Sequence, residues 1–165
     1  MPIKGTVSLG LTTLKNADND YLSGINLSSD MRIGEESGLY GKIGGSVGGV
    51  SQVRASVGNV WDLNDKFNVN GSVNFERSTS VKKVQDYVNK YNDTRVFAET
   101  DLEYRSKHLN LSAGIRAGEK FSENTSFSKK TIFTGVINAG VHFGKMNAGV
   151  CYAGDAGEIR VGLTF

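Results

Sequence analysis

Phe133-Thr134-Gly135-Val136-Ile137-Asn138-Ala139-Gly140-Val141-His142-Phe143 is the stretch on which the reading of this chain turns. Phe133, Ile137, Ala139, Val141 and Phe143 share one parity, while Thr134, Asn138, Gly140 and His142 share the other. Successive side chains of a β-strand point to opposite faces, so this period of two describes a strand with one apolar and one polar face. The apolar face begins and ends on an aromatic ring. At about 3.4 Å per residue and a tilt of about 40°, the distance between those rings covers roughly 25 Å, the depth a tilted membrane-spanning strand must cross.

The same alternation runs outward in both directions. Val7, Leu9 and Leu11 carry it, then Ile25, Leu27, Met31 and Ile33, then Leu39, Ile43 and Val47, then Val53, Ala55 and Val57. Phe67 to Phe75, Val96 to Tyr104, Leu109 to Ala117, Met146 to Tyr152 and Ile159 to Phe165 follow. This gives about ten strands of roughly 8–13 residues, near the length a tilted spanning strand needs. The expected fold is all-β: a closed up-and-down antiparallel transmembrane β-barrel of about 10 strands, with 8 or 12 as neighbouring solutions. Residues 1–165 form one domain.

Composition removes several classes. No run approaches the ~18 apolar residues of a membrane-spanning helix. One proline and 21 glycines speak against a disordered chain. Nineteen basic and 17 acidic residues, interspersed, give no basic stripe for nucleic acid. The single Cys151 forms no internal disulfide.

Alternation alone also fits a soluble barrel, whose apolar face points inward. Two features favour the inverted arrangement. The polar parity is rich in glycine, serine and asparagine, which suit a narrow lumen. The apolar parity carries aromatics in two bands. Trp61, Phe67, Tyr104, Phe143 and Phe165 lie beside one set of turns, and Tyr21, Phe75, Phe133 and Tyr152 lie toward the other. Such bands are expected at the two lipid–water interfaces. Connections on the first side are short, around Gly34–Ser37, Asp62–Lys66, Arg105–His108 and Gly144–Lys145. Three on the other side are expected to be long loops, Thr13–Asp20, Arg77–Thr94 and Gly118–Lys130. Short periplasmic turns and long external loops are the barrel pattern.

The C-terminal Glu158-Ile159-Arg160-Val161-Gly162-Leu163-Thr164-Phe165 resembles the closing strand of bacterial outer-membrane proteins, which ends on an aromatic. The resemblance implies that residues 158–165 are read by the barrel assembly machinery. Val60-Trp61-Asp62-Leu63-Asn64-Asp65-Lys66-Phe67 is similar to turns of small outer-membrane barrels and autotransporter translocator domains. The chain is short for such a translocator and lacks a pore-threading helix. The implied location is the bacterial outer membrane. Met1-Pro2-Ile3-Lys4-Gly5 is not a secretory signal. The expectation is a mature chain with Met1 as an added start and the signal removed; the other reading is a cytosolic or phage-borne protein.

Inward parity assigns a charged lumen to Asp30, Arg32, Lys42, Arg54, Glu99, Asp101, Glu103, Arg116, His142 and Arg160. Opposite charges there either neutralise one another as a structural network or tune a narrow water-filled pore. Omptin-like proteases place acidic residues and a histidine on the external rim. Here His142 and His108 fall at the periplasmic turns, so no enzyme is expected. In Arg77–Thr94, Val81, Val84, Val88 and Tyr91 recur at helical spacing, which predicts a short amphipathic helix. Lys82, Lys83, Tyr87 and Tyr91 are its candidate partner-binding residues. Asn16, Asp18 and Asp20 lack the spacing of a calcium loop. No metal and no cofactor is expected. Lys120, Lys129 and Lys130 could meet lipopolysaccharide phosphates. Expected partners are membrane lipid and lipopolysaccharide, and the expected state is a monomer. The function class is a small pore or structural membrane protein. The alternatives are a surface adhesin or ligand-binding barrel acting through long external loops, or a soluble or virion-associated β-barrel.

Overall fold

In a computed structural model, the chain is a closed antiparallel barrel; residues 2–15, 21–84, 87–123, 127–154 and 156–165 are described. Its strands are β1 Ile3–Lys15, β2 Tyr21–Gly34, β3 Gly38–Gly48, β4 Val50–Asp62 and β5 Phe67–Val84. They continue with β6 Tyr87–Arg105, β7 Leu109–Glu123, β8 Phe127–Phe143, β9 Met146–Ala153 and β10 Ala156–Thr164. Each pairs with its sequence neighbours, and β1 pairs with β10 from Thr6 opposite Thr164 to Leu14 opposite Ala156. The count of ten and the up-and-down order match the periodicity.

The burial pattern is inside out relative to a soluble protein. Thr12, Asn26 and Ser28 on the inward parity are at most 2% exposed, while Phe133 on the outward parity is 76% exposed. Ile25, Leu39, Val57, Ile115, Ile137 and Val161 are likewise exposed around the whole circumference. In water so large an apolar surface would aggregate. In lipid it is the solvated face, and closure gives every strand a partner on both sides over the barrel's common length.

Closure is held at its end by the last residue. Gly5 and Phe165 exchange two backbone hydrogen bonds of 2.9 Å. The Phe165 ring lies over Gly5 so closely that a Cβ there would fall 2.5 Å from a ring carbon. On the same outer wall the Trp61 ring covers Gly71. An aromatic lying across a cross-strand glycine restores the packing that the glycine lacks. At the β8–β9 turn, Gly144 takes φ 62°, a left-handed conformation that disfavours other residues there.

The expected long loops are corrected. Arg77–Thr94 is no loop and contains no helix among its described residues: it is the upper half of the β5–β6 hairpin, paired from Arg77 opposite Thr94 to Val84 opposite Tyr87. The physical reason is cooperative. A strand already in register adds paired backbone groups with each residue, whereas a short helix must first pay a nucleation cost. Valine and threonine, stiff at χ1, also favour the extended form. Gly118–Lys130 is similarly built into β7 and β8, paired as far as Glu123 opposite Phe127. In the first connection, β1 and β2 pair up to Lys15 opposite Tyr21; Asn16, Asp18 and Asp20 lie outside the described residues.

Replacing Phe165 by Ala uncovers Gly5 at the seam. The folded barrel is expected to lose about 1 kcal/mol, the scale of one good cross-strand pair. A lower temperature for loss of the fast-migrating folded band on a detergent gel checks this.

Candidate functional site

The lumen is the site that the fold constructs. Inward parity brings Asp30, Arg32, Lys42, Arg54, Glu99, Asp101, Glu103, Arg116, His142 and Arg160 to the wall of one interior, where all ten border its cavities. Their side chains sort into layers along the axis.

Nearest the turns, Arg105 of β6 bonds Glu103 at 2.8 Å. The Arg32 guanidinium lies 4.1 Å from the centroid of the Tyr40 ring, and the Lys42 ammonium lies 5.0 Å from it. A cation over a ring face is attracted by the ring quadrupole. The Tyr40 hydroxyl donates to Asn70 at 2.8 Å, and Asn70 donates to Asp101 at 3.3 Å. Tyr40 can lie flat because its neighbour on β4 is Gly58, where a Cβ would stand 2.6 Å from the ring.

Half-way up, four charges close a ring across the barrel. Asp30 of β2 accepts from Arg54 of β4 at 3.0 and 3.2 Å and from Arg160 of β10 at 2.9 Å. Glu158 of β10 accepts from the same two arginines at 3.4 and 3.1 Å. Acid and base alternate, so the ring is neutral and each carboxylate touches two cations. A Cβ at Gly44 would overlap the Asp30 carboxylate. Beside the ring, Arg116 pairs with Glu99 at 2.7 Å and lies over the Phe97 ring at 4.0 Å.

Toward the other end the lumen fills. Leu14 and Val50 pack together with Tyr91 and Ala156, and Val50 has no exposed surface. Asn26 accepts the Val50 amide at 3.0 Å, and Gln52 donates to Ser78 at 3.3 Å. Arg95 and Lys120 both donate to the Lys15 carbonyl, and Ser122 donates to Asp93. A chamber of 540 Å³ lies on the turn side of these groups, whereas the gap among Thr12, Gln52, Arg54 and Glu158 is 50 Å³.

Several members of this lattice escaped the sequence reading. Glu158 completes the ring, and its parity with Arg160 was the available signal. Arg105, which the sequence places in a turn, is the last residue of β6. Lys120, read as a lipopolysaccharide contact, is 2% exposed because β7 continues far enough to turn it inward. Lys129 is exposed but bonds Glu119 at 2.6 Å. Of the loop set, Tyr91 packs inward against Leu14 and Val50. Lys82, Lys83 and Tyr87 belong to the hairpin backbone, and their side chains lie outside the described ones. The aromatics Tyr21, Trp61, Phe67, Phe75, Phe133, Phe143, Tyr152 and Phe165 are exposed on the outer wall. Tyr104 is half-buried, with its ring 5.2 Å from that of Phe67.

The turn-side mouth is wide and charged. Both histidines stand there: His108 Nδ1 bonds the His142 carbonyl at 3.0 Å, and the His108 ring stacks on Phe143. Lys4 hydrogen-bonds Glu36 of the adjoining β2–β3 turn at the rim and holds that carboxyl below its ordinary range. Stability from this tie is therefore present above the unfolded-chain value and fades as pH falls through the folded one. Both partners are mostly exposed, so about 0.5 kcal/mol or less is at stake.

No family model and no curated protein sequence matches the chain. Among solved structures, the outer-membrane protease OmpT of Escherichia coli superposes with a TM-score of 0.53 at 6% identity, over 99% of this chain and 96% of that one. Neisserial surface protein A gives 0.44 at 9% identity, over 98% and 95%. The attachment invasion locus protein Ail of Yersinia pestis gives 0.40 at 14%, over 100% of both chains. At such identity the likeness is one of fold. The chain has the closed antiparallel barrel fold seen in the outer-membrane protease OmpT, with its apolar face turned outward.

Arg54→Met leaves Asp30 and Glu158 with one cation each inside the barrel. We expect a loss of about 3 kcal/mol, read as a lower urea midpoint for the folded band in micelles. Arg54→Met with Glu158→Gln should recover part of it.

Proposed function

We propose that this barrel is a non-conducting membrane anchor that presents a β-sheet for binding at the cell surface. One observation carries the reading: four consecutive strands outrun the apolar belt. On β5 the outward face passes from Phe75 to Arg77 and Thr79; on β6 it passes from Val96 to Thr94 and Asn92. On β7 it passes from Ala117 to Glu119, and on β8 from Phe133 to Thr131 and Lys129. The nine residues 76–84 of β5 alone reach on the order of 30 Å along the strand.

The extension has an open side. Among the described residues, β8 from Ser128 to Val136 pairs with β7 only, because β9 reaches no further than Tyr152 opposite Ile137. An unpaired edge offers a row of backbone donors and acceptors to an extended peptide. The occupied upper lumen supports the non-conducting half of the reading. Ions would have to pass Leu14, Val50, Arg95 and Lys120, all at most 2% exposed. Both histidines sit at the turn end, which favours binding over a protease-like rim. The asymmetry of short turns and long extension supports an outer-membrane location with the β5–β8 extension outside.

Planar-bilayer recordings of the refolded chain are expected to give no discrete steps, while Leu14→Gly with Val50→Gly should give them. Steps from the parent protein would overturn the anchor reading. Cells displaying the full chain should adhere to immobilised serum and matrix proteins. Replacing Ser80–Asn92 by a two-residue turn should abolish adhesion and leave the folded band intact.

A further inference from the structure

The charges around the turn-side chamber do not all pair. Three of the four acids on its wall hold a cation: Glu99 has Arg116, Glu103 has Arg105, and Glu158 has Arg54 and Arg160. The fourth, Asp101, forms no ion pair among the described residues. On the basic side, Arg32 donates to the Glu35 and Glu36 carbonyls at 2.8 and 3.3 Å. Lys42, on the same wall, makes neither a hydrogen bond nor an ion pair among the described residues, and its ammonium is open to the chamber. Nor do Lys42 and Asp101 pair with each other. A charge enclosed by protein is costly unless it is paired, so these two are exceptions in a lattice that otherwise neutralises itself.

Both are held in place by Tyr40. The Lys42 ammonium lies 5.0 Å from the centroid of the Tyr40 ring, a contact that leaves its N–H donors unused. The Tyr40 hydroxyl begins a chain that runs through Asn70 and ends on Asp101 Oδ2. Asp101 is only 7% exposed, yet its other oxygen, Oδ1, has no partner among the described residues. One donor group and one acceptor of opposite charge are therefore fixed on a common wall with their bonding capacity intact.

The space before them has the size of a ligand site. The chamber holds 540 Å³, within the ~300–1,000 Å³ of small-molecule pockets. It shares Arg32, Glu103 and Arg105 with the mouth cavity of 1190 Å³, so it is reached from the turn side. Beyond the charge ring the lumen narrows to a gap of 50 Å³. The chamber is a cup, open at one end only.

We propose that this cup binds a small zwitterionic amino acid, its carboxylate on Lys42 and its ammonium on Asp101 Oδ1. A solute with one charge leaves the opposite group unmet. A divalent cation, which Asp101 alone could attract, is opposed by Lys42 and Arg32 on the same wall. The site lies at the turn end, away from the β5–β8 extension, so it goes beyond the surface-binding reading and requires neither adhesion nor conduction.

Ligand-observed NMR titration of the full chain, folded in a non-ionic maltoside micelle, tests the site with L-serine and 4-aminobutanoate as probes. A zwitterionic detergent would compete. At least one probe is expected to bind with a Kd below about 1 mM, and the tighter of the two reports the spacing between the charges. Ethanolamine and butylamine lack the carboxylate; 3-hydroxypropanoate and butanoate lack the ammonium. Each should bind at least about ten-fold more weakly than its parent amino acid, the worth of one charge-assisted contact. Lys42→Met should bring the amino acid level with its amine counterpart, and Asp101→Asn should bring it level with its carboxylate counterpart. Charges that served only the barrel's folding would not produce those levelled ratios. The counterpart comparison is made on the parent chain and holds even where a variant fails to fold, with heat-modifiable migration as the control. Neither probe binding below about 1 mM, counterparts binding as tightly as the amino acids, or folded variants binding like the parent would each overturn the proposal.

Discussion

Everything in this structure depends on one constraint: a backbone in hydrocarbon has no water to satisfy its amides and carbonyls. A sheet meets that constraint only by closing on itself, so β1 must find β10. From closure follow the alternation of faces, the even strand number and the gathering of the inward polar side chains into one narrow interior. The interior then has its own electrostatic problem. Charges taken from water are costly unless they are paired, and the ring of Asp30, Arg54, Glu158 and Arg160 answers this by giving each carboxylate two cations.

Glycine has a particular part in this interior. Gly44 makes space for the Asp30 carboxylate, and Gly58 makes space for the flat Tyr40 ring. Small residues on the inward parity are thus counterparts of large ones on the neighbouring strand. The same complement recurs outside at Gly5 under Phe165 and at Gly71 under Trp61. At Gly45 the outward glycine has no aromatic partner in the structure, and the wall is left dented.

Fold and face parity were legible because both depend on a period of two, which local sequence carries in full. Phe133 to Phe143 alone contains the alternation and both aromatic ends. What the sequence left hidden depends on partners far along the chain. Glu158 reads as one polar residue in a closing strand, and only the barrel's curvature brings it to Arg54, across the lumen. Val81, Val84, Val88 and Tyr91 fit a helical period by coincidence, and the extended form prevails through pairing with a neighbouring strand. Lys120 changed from a surface contact to a buried donor for the same reason: where a strand ends decides which side its next residue takes.

The seam at Gly5 and Phe165 also governs when this protein can come into being. The first strand stays an open edge until β10 has been synthesised, because β10 is its partner in the closed sheet. Closure is the longest-range contact the polypeptide can make, and such contacts are slow to form. A fragment that lacks β10 is left with two sticky edges, on β1 and β9, rather than a slightly narrower barrel.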